Sequence, residues 1–164
     1  MTLNIAILAL VTLERLLELP LARRNTIRLL AIGAKEHSPR HYPLILMLHV
    51  AWLASLWLLG LGRQVHLPWL ALFIVIELGR LWVLATLGGR WTTRIIVLPD
   101  APLIRQGPYR FSNHPNYLVV IAEIFVLPLV FGLWPVSAIF SLLNAAMLAV
   151  RIRAENRALG PVRQ

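Results

Sequence analysis

The chain has 164 residues, 59% of them hydrophobic, and a formal net charge of +9 at pH 7. The apolar residues come in long blocks, a composition that excludes an ordinary soluble domain. Because the basic residues lie in the gaps between these blocks, orientation in a bilayer explains them better than nucleic-acid binding does. The chain has no cysteine, which excludes disulfides, a thiolate nucleophile and a cysteine-based metal site.

Five apolar blocks approach the roughly 20 residues that a transmembrane helix needs. The first has no basic region or cleavage site, so we expect a retained span and not a signal peptide. The fourth is short, contains Pro128 and is separated from the fifth by two residues, which predicts a tight helical hairpin. The predicted spans are residues 3–22, 43–61, 68–87, 117–131 and 134–150. We therefore predict an all-α integral membrane protein with about five transmembrane helices.

Cations are concentrated in alternate gaps between the predicted spans. The second gap has only Arg63, and the tip of the hairpin has none. The positive-inside rule therefore places the first gap, the third gap and the C-terminus in the cytoplasm, with the N-terminus outside. The clustered cations are Arg23, Arg24, Arg28, Lys35 and Arg40 in the first gap, Arg90, Arg94, Arg105 and Arg110 in the third, and Arg151, Arg153, Arg157 and Arg163 in the tail.

The first span carries ionisable residues, which are costly in hydrocarbon unless they are paired or face a wet cavity. Glu14, Glu18 and Asn25 share one helical face, and Arg15 lies three residues before Glu18. Two interpretations stay open. The charges form an intramembrane ion pair that docks this helix against a neighbour, or they line a pocket directly, with Asn25 near it.

Two further spans also carry charges. Glu77 and Arg80 lie three residues apart in the third span, which predicts that they pair. Glu123 in the fourth span has no cation within one turn, so Arg15 or Arg80 should neutralise it from another helix.

Two histidines in the first gap have the spacing of a possible metal pair. His37 and His41 are four residues apart, but Pro39 interrupts helical spacing and no carboxylate lies between the two histidines. We therefore expect no metal site.

The most polar segment between apolar blocks is residues 105–117, RQGPYRFSNHPNY. Pro115 suits the first position of a helix, because its missing N–H would be unpaired there anyway. Asn113 or His114 would then be the N-cap. A helix that begins there directs unpaired N–H groups and the positive end of its dipole into the preceding segment, which is suited to a carboxylate.

The last block carries a periodic polar stripe at spacings of three and four residues, so one side of its helix faces water or protein. Arg151 and Glu155 lie at its end, near the depth expected for His114 and Tyr117. They either pair with each other at the membrane surface or contribute to a shared pocket. The stripe comprises Ser137, Ser141, Asn144, Leu148, Arg151 and Glu155.

The segment GPYRFSNHPNY, followed by an apolar hairpin and RIRAEN, resembles the isoprenylcysteine carboxyl methyltransferase family and its relatives, which include phospholipid methyltransferases. The similarity extends upstream through LGGRWTTRIIVLPDAPLIRQGPYR and, more loosely, to ERLLELPLARRN and HYPLILMLH. These segments are similar to a small bacterial branch, some of whose members methylate alkylpyrone or alkylresorcinol hydroxyls. The resemblance implies a single methyltransferase domain over residues 1–164: three N-terminal spans in 1–87, then a cofactor-binding loop, hairpin and C-terminal helix in 88–164.

The resemblance also implies roles for individual residues. Arg151 would meet the acceptor, and S-adenosyl-L-methionine would be the cofactor. The residues that would bind it are Leu103, Ile104, Tyr109, His114, Pro115, Asn116, Tyr117 and Glu155. Chemistry agrees, because the methionyl carboxylate suits a helix start and His114, whereas its ammonium and the ribose hydroxyls suit Glu155.

The chain departs from the family pattern at three positions. Asn113 replaces a basic residue, Val119 a glycine, and Asn156 the second acid of a Glu-Glu pair. Because one cation and one anion are lost together, the local charge sum is similar. We interpret the changes as tuning of the cofactor contacts.

We expect methyl transfer to an oxygen of a lipophilic acceptor at the cytoplasmic face of a bacterial inner membrane. Most of the rate should come from positioning and desolvation. An anionic acceptor oxygen would need no base, whereas His114 or Glu123 would be weak bases for a hydroxyl of higher pKa. The preferred acceptor is a polyketide-derived hydroxyl, and isoprenylcysteine is the alternative. A nicotinamide-dependent membrane reductase and a non-catalytic lipid-binding or assembly protein also remain open.

Overall fold

The computed structural model describes residues 2–37, 42–99 and 101–159. Arg40, His41 and Arg163, which the sequence analysis singled out, lie outside these residues. Helices dominate the described chain, as predicted. They are α1 (Thr2–Ala31), α2 (Tyr42–Gly60), α3 (Leu67–Leu87), α4 (Pro115–Val130) and α5 (Trp134–Leu159), with short 3-10 turns at Gly88–Arg90 and Gly107–Arg110.

Three helices of the described chain are long and apolar enough to cross a membrane, namely α2, α3 and α5. Their outer faces carry large apolar side chains such as Leu58 and Leu142, which suit contact with lipid. Helix α4 has 16 residues, or about 24 Å at the α-helical rise, less than the roughly 30 Å of a hydrocarbon core. The structure therefore supports a helical membrane protein, and the count of five spans stays a prediction.

Helix α1 is longer than the predicted first span. It runs past Pro20 to Ala31, so Arg23, Arg24 and Arg28 belong to the helix and not to a loop. Proline removes one helical hydrogen bond, but the arginine, leucine and alanine residues beyond it are good helix formers. Asn25 anchors this extension, because its Nδ2 donates to the carbonyls of Gly88 at 3.1 Å and Trp91 at 2.8 Å.

A short antiparallel ribbon adds β-structure to the predicted all-helical fold. Strand β1 (Lys35–His37) pairs with strand β2 (Ile95–Val97), and Glu36 lies opposite Ile96. The run of β-branched residues in β2 favours an extended backbone. The Arg94 guanidinium, just before β2, lies 3.0 Å from the carboxylate of Glu36 in β1 and so links the two sides of the ribbon.

Helices α4 and α5 form the predicted hairpin. Gly132 takes a φ of +68°, which glycine adopts without strain, and the Leu133 N–H donates to the Pro128 carbonyl at 2.9 Å. Much of the apolar core lies near this turn, where Phe131 packs against Gly60 at the end of α2. The opposite end of the hairpin, where α4 begins and α5 ends, carries the polar residues.

Candidate active site

The start of α4 confirms the helix boundary predicted from the sequence. His114 is the N-cap, no side chain caps the helix, and Pro115 occupies the first turn. The His114 N–H is instead held by Ser112 Oγ at 3.2 Å. The positive end of the α4 dipole is therefore available to interact with a group bound in the space next to the helix start.

The polar stripe on α5 faces protein, as predicted. Ser137, Asn144 and Leu148 are buried, and Ser137 Oγ donates to the Phe125 carbonyl on α4 at 2.7 Å. This packing fixes the rotation of α5, because residues three or four apart lie on one helical face. Arg151 and Glu155 are consequently turned towards the start of α4.

Tyr117 connects the two charged residues at the end of the stripe. Its hydroxyl donates to Glu155 Oε2 and accepts from Arg151 Nε at 2.9 Å, and Arg151 Nη2 donates to the Thr93 carbonyl at 2.8 Å. His114 stacks on the Tyr117 ring, with its Nδ1 3.7 Å from Glu155 Oε1. Arg151 and Glu155 therefore belong to a shared pocket and are not simply a surface pair.

A cavity of about 840 Å³ lies between this group and the loops around β2. Of the residues predicted to bind cofactor or acceptor, all line it except Pro115, which is buried at the helix start. Asn113 also lines it, whereas Asn156 Oδ1 lies 3.3 Å from His114 Nε2. The predicted residues that line the cavity are Leu103, Ile104, Tyr109, His114, Asn116, Tyr117, Arg151 and Glu155.

Cations dominate the charged lining of this cavity. Glu155 is the one carboxylate among its described lining residues, and the guanidinium groups are those of Arg90, Arg94, Arg105, Arg110 and Arg151. Burial, and then the negative charge of Glu155, raise the pKa of the Tyr109 phenol above its usual value. Tyr109 is therefore neutral near pH 7 and offers an O–H donor.

A second, mainly apolar cavity of about 230 Å³ lies deeper in the bundle, between α1 and α2. Leu16 and Val50 line it and are also more than half exposed on the outer surface. The two cavities have Trp91, Thr92, Asn116, Tyr117 and Arg151 in common. A polar space and an apolar space thus meet at Tyr117 and Arg151.

The intramembrane charges form one cluster at the deep end of the apolar cavity. The Arg80 guanidinium binds Glu18 and lies 2.9 Å from Glu123, while Arg15 lies 3.0 Å from Glu123. The prediction that Arg15 or Arg80 neutralises Glu123 is confirmed for both. Glu123 is buried in these ion pairs and lines neither cavity, so its position does not support a role as a base.

The predicted pairing of Glu77 with Arg80 is wrong. Arg80 contacts Glu14, Glu18 and Glu123, whereas the ion pair found for Glu77 is with Arg15, at 3.8 Å. Glu18 on α1 and Glu123 on α4 instead meet Arg80 from other helices.

Sequence reasoning missed two contributors to the site. Trp91 is buried and lines both cavities. Thr93 accepts from Arg151 through its backbone carbonyl, and a backbone contact leaves no signature in side-chain type. Asn25 was expected near the pocket. It lines neither cavity, but it donates to the backbone carbonyl of Trp91, which lines both.

Comparison with known proteins identifies the chain at the level of its family. The family model for isoprenylcysteine carboxyl methyltransferases matches residues 69–161. An uncharacterized protein of Bacillus subtilis (strain 168), YpbQ, is 37% identical over 158 residues, which cover 93% of this chain and 94% of the relative. No solved structure matches the chain. The chain therefore belongs to the isoprenylcysteine carboxyl methyltransferase family, a family of membrane methyltransferases that use S-adenosylmethionine.

Proposed function

We propose that this protein transfers the methyl group of S-adenosylmethionine to an oxygen of a lipophilic acceptor, with the 840 Å³ cavity as the cofactor site. The observation that carries the proposal is the convergence of His114 and Glu155, 3.7 Å apart, although 41 positions separate them in the chain. When bound, the cofactor supplies an electrophilic methyl group on a sulfonium.

The lining fits the two charged ends of the cofactor. The methionyl carboxylate is matched by the uncapped start of α4 and by His114. Glu155, whose carboxylate offers about four acceptor positions and uses one on Tyr117, suits the ammonium or the ribose hydroxyls. Leu103 and Ile104 offer the apolar surface that the nucleoside needs.

Arg151 is the residue best placed to hold the acceptor oxygen. It lines both cavities, and Tyr117 and the Thr93 carbonyl fix its side chain. An acceptor with its oxygen at Arg151 would have its tail in the apolar cavity between α1 and α2. A guanidinium in this position favours the ionised form of the oxygen, so transfer to it needs no strong base.

The cationic lining favours acceptors whose oxygen is acidic. Alkylpyrone and alkylresorcinol hydroxyls have this property, as does the carboxylate of isoprenylcysteine or a similar prenylated acid, which is the alternative acceptor. An ordinary aliphatic alcohol does not, because the five guanidinium groups around the cavity cannot lower its pKa far enough. We propose that the protein acts in the cytoplasmic membrane of a bacterium, with the C-terminus inside.

Ligand stabilisation in detergent tests the proposal and separates it from its competitors. S-Adenosylhomocysteine should raise the melting temperature and NADPH should not, because a ligand stabilises the state that binds it. The reverse pattern would indicate a nicotinamide-dependent reductase. Stabilisation by neither ligand would favour a non-catalytic lipid-binding or assembly protein. Incubation with methyl-labelled cofactor should then label a pentadecylresorcinol or a farnesylcysteine analogue.

A further inference from the structure

Trp91 carries a buried hydrogen-bond donor that the described protein does not use. Its side chain lines both cavities at their junction, and the residue is only 4% exposed. The indole Nε1 is buried with no hydrogen-bond partner among the described residues. A buried N–H without a partner costs about 1–3 kcal/mol, so this donor is suited to a partner that arrives with a ligand.

The backbone holds Trp91 at this junction from both sides. Its N–H donates to the Gly88 carbonyl at 3.1 Å, and its carbonyl accepts from Asn25 Nδ2 at 2.8 Å. Near it, Arg151 Nε and Nη2 donate to Tyr117 and to the Thr93 carbonyl, and Thr92 Oγ1 donates to the Arg94 carbonyl. Trp91 and Arg151 are thus both held in place where the two cavities meet.

We propose that the Trp91 indole N–H binds a second oxygen of the acceptor, next to the oxygen that Arg151 holds. This inference rests on the proposed function and deepens it. It selects acceptors whose polar head carries two oxygens a few atoms apart, such as a resorcinol or a pyrone, over single-oxygen heads with the same tail. Trp91 is then a specificity-determining residue that contacts substrate.

A pair of probes that differ in one oxygen tests this role. 5-Pentadecylresorcinol and 3-pentadecylphenol have the same tail, and only the first has a second hydroxyl. The wild-type protein should prefer the resorcinol in kcat/KM by roughly five- to tenfold, as expected for a buried donor that gains or lacks its partner. Trp91→Phe should lower kcat/KM for the resorcinol more than kcat/KM for the phenol, by a similar factor, so the preference disappears.

Trp52→Phe is the matched control. Trp52 is 1% exposed, its Nε1 also has no partner among the described residues, and it lines the apolar cavity without reaching the polar one. Its substitution should leave the preference for the resorcinol intact. Both variants should retain the melting shift with S-adenosylhomocysteine. If Trp91→Phe does not fold, Trp91→β-(3-benzothienyl)alanine keeps the ring size without the N–H.

The outcomes separate this inference from the proposed function. The inference would be overturned if the preference for the resorcinol survived loss of the Trp91 N–H. It would also be overturned if the wild-type protein treated both probes alike, or methylated neither while still binding S-adenosylhomocysteine. Loss of the preference in Trp52→Phe as well would show a general packing effect and would also overturn it. Failure of the wild-type protein to bind S-adenosylhomocysteine would instead remove the proposed function.

Discussion

Tyr117 is the residue on which the geometry of the site depends most. It contacts Arg151 and Glu155 through one oxygen and His114 through its ring. The sequence indicated it as part of a cofactor motif, on the basis of a resemblance. The contacts give the physical reason for a tyrosine here, since phenylalanine would stack equally well but would leave both charged side chains without this partner.

Removal of the Tyr117 hydroxyl should therefore weaken cofactor binding. In Tyr117→Phe we expect the affinity for S-adenosylhomocysteine to fall by about tenfold or more, because a hydrogen bond to a charged group contributes about 1.5–3 kcal/mol. Isothermal titration in detergent measures this change. Tyr42→Phe, which alters a tyrosine outside the cavity proposed to bind the cofactor, is the control. Unchanged affinity in Tyr117→Phe would show that the hydroxyl does not position Glu155.

Substitution of Arg151 should lower turnover of the acceptor and spare cofactor binding. Arg151→Ala removes the group proposed to hold the acceptor oxygen, so kcat/KM for the acceptor should fall by roughly a hundredfold or more, as for loss of a group that stabilises reacting charge. The melting shift with S-adenosylhomocysteine should remain. Methyl incorporation and thermal melting of one preparation provide both readouts. Loss of the shift alongside activity would place Arg151 in the cofactor site instead.

At the scale of elements, the sequence predicted most helix boundaries closely and missed the strands. Pro115 and Gly132 signal a helix start and a turn through local backbone chemistry, which the sequence carries directly. Strand β1 has only three residues and depends on pairing with Ile95–Val97, which is distant in the chain. A long-range pairing of this kind leaves no periodic pattern in the sequence.

The fold, and not the sequence, explains why the motif has a glycine at position 107. Its φ is +55°, and a Cβ there would lie 2.5 Å from Thr86 Oγ1 and 3.2 Å from Trp82 Nε1 on α3. The glycine therefore allows the 3-10 turn that carries Tyr109 to approach α3 closely.

Substitution of Gly107 should disturb the turn through this contact as well as through its backbone conformation. We expect Gly107→Ala to lower the melting temperature by several degrees and to weaken S-adenosylhomocysteine binding. Gly62→Ala is a matched control, because Gly62 also has a positive φ, +74°, but no atom lies within 4 Å of the position that a Cβ would take there. Equal effects of the two substitutions would show that backbone strain alone causes the loss of stability and binding.

For the whole molecule, the buried ion cluster links the helices that hold the cavities. Arg80 on α3 meets Glu18 on α1 and Glu123 on α4, so three helices converge on one guanidinium. The residue types were evident from the sequence because charges within apolar blocks are conspicuous. Their partners were only partly predictable, since pairing across helices depends on helix rotation and tilt.

Loss of Arg80 should therefore destabilise the whole bundle. Arg80→Met leaves two buried carboxylates less well compensated, and we expect a loss of about 3–5 kcal/mol in the free energy of unfolding. Adding Glu123→Gln should recover part of this loss. Arg94→Met, which breaks the more exposed pair with Glu36, should cost at most about 1 kcal/mol. Unfolding in graded denaturing detergent measures all three; similar losses for Arg80→Met and Arg94→Met would contradict this account of the cluster.

The central claim is that His114 and Glu155 bind one cofactor together, and direct titration of S-adenosylhomocysteine tests it most directly. The four proteins to compare are the wild type, His114→Ala, Glu155→Gln and the double variant. The account predicts that each single change weakens binding by about tenfold or more and that the double variant loses less than the product of the two, because neighbouring groups couple. Wild-type affinity in both single variants, in correctly folded protein, would contradict it.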